Sequence, residues 1–99
     1  MDNLKKDGSK YSALTDVLCA AMAQASSGKG AERHGNDERW EDQRWSRIAN
    51  TVGDGFLLGQ AIKKIEESQG MTEPHRVERE LLGAINYIAM AIHNNNTRG

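Results

Sequence analysis

Cysteine, proline and aromatic side chains are scarce in this 99-residue chain. The single cysteine, Cys19, excludes an internal disulfide framework, and its apolar neighbours favour a buried core thiol over a nucleophile. No apolar run approaches the length of a membrane span, and no signal peptide is visible. We therefore expect a cytoplasmic protein that is neither secreted nor embedded in a membrane.

A strong charge of either sign is also missing, because the net charge is −1 at pH 7. No global electrostatic field then attracts the chain to nucleic acid polymers or to anionic lipid. A site for an anionic ligand must therefore be local, built from a few neighbouring residues.

The expected core is small, since 37% of the residues are hydrophobic and 5% are aromatic. Ninety-nine residues make one domain, 1–99, which buries a modest core by itself. Small scaffolds with a weak core often gain stability by oligomerisation. The composition favours an oligomer, with a marginally stable monomer as the alternative.

Apolar residues at spacings of three and four predict an all-α fold with three helices. The helices cover about 12–25, 46–69 and 73–93, and a long loop rich in glycine and charge joins the first two. The flanking segments 1–10 and 94–99 are expected to be flexible. Strand-like alternation does not persist anywhere in the sequence.

Capping residues support these boundaries. Ser9 or Ser12 is suited to cap the first helix, and Thr72 to cap the third, whose first turn contains Pro74. Glycine is costly inside a helix, so a cluster of glycines in the second helix indicates a kink or a close helix–helix approach. The cluster consists of Gly53, Gly55 and Gly59.

Both tryptophans lie in the long loop, which includes a possible short helix near 38–44. Trp40 and Trp45 are five residues apart and would occupy different faces of a helix, so we expect them to contact different partners. Lining of a ligand pocket is one interpretation, but packing of the loop against the core is the commoner role.

The segment that follows the first helix is typical of an anion-binding loop. Gly28 and Gly30 let backbone N–H groups approach a phosphate, because no side chain intervenes. Lys29 adds a point charge, Arg33 adds a fork that matches phosphate oxygens, and His34 adds a further donor. A glycine-rich turn with solvated charges explains the residues equally well, and the spacing is not that of a Walker loop.

Tyr11, at the start of the first helix, is a candidate for stacking on a nucleobase. An aromatic residue at the edge of the core is the commoner interpretation of such a position.

The carboxylates allow an enzymatic alternative. All-helical nucleotide pyrophosphohydrolases gather acidic residues around magnesium, and Glu38 and Glu41 have the corresponding E-x-x-E spacing. Glu66, Glu67 and Glu80 lie in later helices, but the count looks short for octahedral coordination. We expect these three to face solvent or a partner chain. The histidines and Cys19 show no zinc spacing, and no nucleophile elbow is present; no metal or cofactor is predicted.

Three stretches of the sequence resemble the phage anti-CBASS cyclic-nucleotide sponges. They are GKGAERH at 28–34, GQAIKKIEES at 59–68 and ELLGAINY at 80–87. The similarity extends from about Tyr11 to His93 and includes the length and the helix order.

This resemblance implies a hexamer that sequesters cyclic oligonucleotide messengers without chemistry and so blocks CBASS signalling in the infected bacterium. It also implies that Tyr11 stacks on a base and that Lys29 meets the phosphates. Two copies would then serve one nearly two-fold symmetric cyclic dinucleotide. Some members hold cyclic trinucleotides in a second pocket, where this chain has Ala31 and Gly70, which offer no side-chain donor.

Overall fold

A computed structural model describes residues 10–27 and 38–98, and every regular element in those ranges is helical. The elements are α1 (Ser12–Ser27), a short 3-10 helix (Trp40–Asp42), α2 (Arg44–Val52), α3 (Gly55–Gln69) and α4 (Pro74–Thr97). The all-α prediction is confirmed, but the count of three helices is wrong. None of the described helices is long and apolar enough to cross a membrane.

The predicted second helix is two helices, divided at Gly53. The N–H of Gly53 donates to the carbonyl oxygen of Ala49 at 2.7 Å, which ends α2, and Asp54 then precedes the first residue of α3. Gly53 has φ 93° and ψ 172°, a backbone conformation that is essentially restricted to glycine. The chain therefore breaks completely, where a kink or a close helix approach was expected.

α3 and α4 form an antiparallel hairpin, because the end of α3 meets the beginning of α4. Nζ of Lys64 lies 3.4 Å from Oε1 of Glu80. At the other end of the hairpin, Asp54 contacts both Asn94 and Arg98. This hairpin carries most of the contacts between helices and supports the rest of the fold.

Both ends of α4 differ from the prediction. The carboxylate of Glu73, not Thr72, caps the helix and accepts from the backbone N–H of His75 at 3.2 Å, with Pro74 in the first turn as expected. The helix continues to Thr97, four residues beyond the predicted end at 93. Asn94 is therefore not the start of an irregular tail, and only 6% of its surface is exposed.

The described core is small and lies where α2 meets the hairpin. Leu57 is fully buried there with Trp45 and Ala49. α1 is attached to α4 by side-chain amides: Nδ2 of Asn86 donates to the carbonyl oxygen of Ala21 at 3.0 Å, and Nε2 of Gln24 donates to that of Arg79 at 3.2 Å. The thiol of Cys19, predicted to be buried, is only half-buried. Large apolar side chains of α1, α3 and α4 remain exposed.

Candidate functional site

Tyr11 lies on the turn that begins α1, and 70% of its surface is exposed. Its carbonyl oxygen accepts from the backbone N–H of Thr15 at 2.9 Å and from the Thr15 hydroxyl at 3.1 Å. The backbone of Tyr11 is therefore fixed by the first turn of the helix, while its ring is presented to solvent. Tyr11 is therefore a surface residue and not a core aromatic, and its predicted role in stacking stays a prediction.

The proposed anion loop lies outside the described residues. This applies to Gly28, Lys29, Gly30, Arg33 and His34, so their predicted role in phosphate binding stays a prediction. α1 ends directly before this segment at Ser27, whose hydroxyl donates to the carbonyl oxygen of Ala23 at 2.6 Å.

The two ends of α1 are far apart in one protomer. Ser27 follows Tyr11 by sixteen residues, which at the α-helical rise corresponds to about 24 Å. Between them, an apolar stripe runs along one exposed flank of α1 at spacings of four. The stripe consists of Leu14, Leu18 and Met22.

The acidic pair of the possible magnesium site is engaged by arginines. Glu38 accepts from Arg47 at 3.1 Å, and Glu41 accepts from Arg39 at 2.9 Å. A hydrogen bond from its own backbone N–H and the Arg39 guanidinium lower the pKa of the Glu41 carboxyl below its usual value. Each carboxylate is thus paired with a different arginine.

The later carboxylates are also dispersed. Glu80 was expected to face solvent or a partner, but its side chain is mostly buried and pairs with Lys64. Glu66 and Glu67 are exposed at the end of α3, as expected. Within residues 10–27 and 38–98, no three histidine, cysteine or acidic side chains are grouped so that they could hold a metal ion.

The tryptophans pack together, contrary to the expectation that they contact different partners. Their ring centroids are 4.9 Å apart, and the His93 ring lies 5.4 Å from Trp40 and 6.3 Å from Trp45. The indole N–H of Trp45 donates to the carbonyl oxygen of Trp40 at 2.9 Å. The two residues belong to different helices, with Gln43 in an extended conformation between them, so the helical spacing argument did not apply.

Sequence reasoning missed an apolar groove of about 750 Å³ between α1 and the beginning of α4. Val17 of α1 faces Val77, Leu81 and Ile85 of α4 across it. The two walls are some sixty residues apart in the chain, so no local pattern could have predicted their meeting.

No family model, curated protein or solved structure matches this chain. Only the residues of this chain and their positions in the fold therefore bear on its function.

Proposed function

We propose that this chain binds cyclic oligonucleotide second messengers, above all cyclic dinucleotides such as cyclic GMP–AMP, and holds them intact. It would act as a phage anti-CBASS sponge, a homo-oligomer and by resemblance a hexamer, in the cytoplasm of the infected bacterium. The observation that carries the proposal is the exposure of Tyr11 at the start of α1. Stacking of a base on such a ring contributes about 1–3 kcal/mol.

The phosphates of the ligand would be met by the segment after α1. Lys29 and Arg33 supply positive charge, and the backbone N–H groups of Gly28 and Gly30 can approach the phosphate oxygens closely. His34 adds a donor. A chain with a net charge of −1 needs such a local cluster, because it has no global field that attracts an anion.

The site would be divided between two copies. A cyclic dinucleotide is much smaller than the roughly 24 Å that separates Tyr11 from the end of α1 in one protomer. An antiparallel pair of α1 helices, packed on the stripe of Leu14, Leu18 and Met22, would bring Tyr11 of one copy close to Ser27 of the other, the residue after which the anion loop begins. A two-fold axis then gives one tyrosine and one lysine to each half of the nearly symmetric ligand.

The carboxylates favour this binding role over the magnesium-dependent enzyme. Phosphate-ester hydrolysis with magnesium requires acidic oxygens that converge on one centre. Glu38, Glu41 and Glu80 are each paired with a different basic side chain. Rearrangement of three ion pairs would be needed before these residues could bind a common ion.

Isothermal titration with a cyclic purine dinucleotide, with and without magnesium, tests the proposal. We expect binding that does not depend on magnesium, and chromatography of the recovered ligand should show it unaltered. Consumption of the ligand in magnesium would establish the enzyme instead. An absence of heat with a folded protein would refute nucleotide binding and leave a protein-interaction module.

Substitution of Tyr11 tests the stacking role. Because both copies lose the ring, Tyr11→Ala should weaken binding by about 30- to 25,000-fold, the equivalent of two lost base stacks. Tyr11→Phe should keep most of the affinity because it keeps the ring. Lys29→Ala should also weaken binding, because it removes a charge that would meet a phosphate. Arg44→Ala, which removes an exposed charge at the start of α2, is its matched control. Equal affinity of Tyr11→Ala and the wild type would contradict the proposed site.

A further inference from the structure

Two side-chain amides hold the second half of α1 on α4, and one of them comes from each helix. Nδ2 of Asn86 donates to the backbone carbonyl oxygen of Ala21 at 3.0 Å, and Nε2 of Gln24 donates to that of Arg79 at 3.2 Å. A carbonyl oxygen has two lone pairs, so each acceptor can take this bond and keep its bond within its own helix. These two contacts are here called the amide clamp.

The amide clamp lies on one face of α4, centred on a glycine. Arg79, Gly83 and Asn86 are separated by four and three positions, which places them on the same face of the helix. A Cβ added at Gly83 would lie 3.4 Å from Cδ and Cε of Lys64 and 3.8 Å from Nε2 of Gln24. The side chains of Gln24 and Lys64 therefore lie directly on the α4 backbone, and α1 and α3 meet α4 at the same point.

The first half of α1 is separated from α4 by the apolar groove. Val17 and Ala20 line this groove of about 750 Å³, and 45% of the surface of Val17 is exposed. Ala21, in the amide clamp, is only 3% exposed. The packing of α1 on α4 is therefore close at the clamp and open toward the beginning of the helix. The clamp is thus the contact that fixes how α1 is oriented on the hairpin.

The same clamp sets the rotation of α1 about its own axis. In the exposed stripe, Leu18 directly follows Val17 and Met22 directly follows Ala21, so the stripe is turned by about 100° from the clamped face. Because Ala21 is held against α4, the stripe faces outward. In the proposed nucleotide site, α1 carries Tyr11 at its beginning, the stripe along its flank and the anion loop after its end. All three depend on the orientation of this one helix.

We propose that Asn86 and Gln24 are positioning residues of the nucleotide site, an inference that rests on the proposed function. They hold α1 in the orientation that the site requires, and neither has to touch the ligand. When only a fraction of the protein is competent to bind, the apparent affinity falls by that fraction. Loss of the clamp should therefore slow association, whereas the dissociation rate constant should stay unchanged because the contacts in the complex are kept.

Association and dissociation kinetics of cyclic GMP–AMP with the full-length chain test this role. Asn86→Ala and Gln24→Ala should each weaken binding by about 2- to 12-fold, the equivalent of one hydrogen bond, with the loss in the association rate constant. Asn96→Ala is the matched control, because it is the same substitution at an exposed position of α4, and it should leave both rate constants unchanged. Leu57→Val lowers stability from within the core, and its folded form should also bind as the wild type does.

Hydrogen exchange without ligand checks the clamp itself. The backbone N–H groups in the last two turns of α1 should exchange faster in Asn86→Ala than in the wild type or in Asn96→Ala. Unchanged exchange in the folded Asn86→Ala variant would overturn the inference, since the amide would then not hold α1.

The kinetic outcomes separate this inference from the proposed function. A folded wild type that binds no cyclic dinucleotide would refute the proposed function, and the positioning role with it. A wild type that binds, together with clamp variants that associate equally fast, would refute the positioning role alone.

Discussion

Removal of the Asn94 side chain tests how the last turns of α4 are held. Nδ2 of Asn94 donates to Oδ1 of Asp54 at 2.6 Å, and Nη2 of Arg98 lies 2.7 Å from Oδ2 of the same carboxylate. These contacts connect the end of α4 to the beginning of α3. Asn94→Ala removes the partly buried hydrogen bond to Asp54 and leaves the ion pair between Arg98 and Asp54 in place.

The expected loss follows from the burial of Asn94 and the charge of its acceptor. Hydrogen bonds to charged groups contribute about 1.5–3 kcal/mol, and alanine regains up to about 0.7 kcal/mol as the better helix former. The net destabilisation should be about 1–2.5 kcal/mol. For a domain of this size, that corresponds to a fall in Tm of roughly 4–20 °C.

Asn96→Ala is the matched control, because Asn96 has the same side chain in the same helix but is exposed. This substitution brings the same gain in helix propensity as Asn94→Ala. It should therefore leave the free energy of unfolding unchanged or raise it slightly. Urea unfolding followed by circular dichroism gives both free energies, and a double-mutant cycle with Asp54→Ala should yield a coupling of about 0.5–3 kcal/mol. Equal stability of Asn94→Ala and Asn96→Ala would refute the reasoning and restore the expectation of an irregular tail.

Four further substitutions test the packing, the helix break and the ion pair. Leu57→Ala removes the fully buried side chain of the core and should cost about 2–5 kcal/mol in urea unfolding. Gly53→Ala should lower the free energy of unfolding by about 1–3 kcal/mol, because Gly53 has a φ of 93°. Gly59→Ala should raise it by up to about 1 kcal/mol, because the added Cβ meets nothing within 4 Å. A change of the same sign for both variants would contradict the helix break at Gly53. NMR titration should place the pKa of Glu41 below the usual glutamate value. In Arg39→Ala it should rise only part of the way, since the backbone N–H contribution remains.

The helical positions were predictable because they depend on local periodicity. The predicted start of α1 agrees with its observed first residue, and α4 was placed within a residue at its beginning. Periodicity could not separate α2 from α3, because the apolar stripe continues in register across Gly53. Gly53 ends a helix because its φ is positive, whereas Gly59 lies within α3. The φ angle of Gly53 depends on how α2 and α3 pack, which the local sequence does not give.

The side-chain contacts were less predictable, because they join distant parts of the chain. Asn94 was assigned to a tail because it begins a run of three asparagines, and its acceptor Asp54 lies forty residues earlier. Trp40 and Trp45 meet because an extended residue separates their helices. The position of Tyr11 was predictable, because it depends on where the first helix begins and not on a contact with a distant residue.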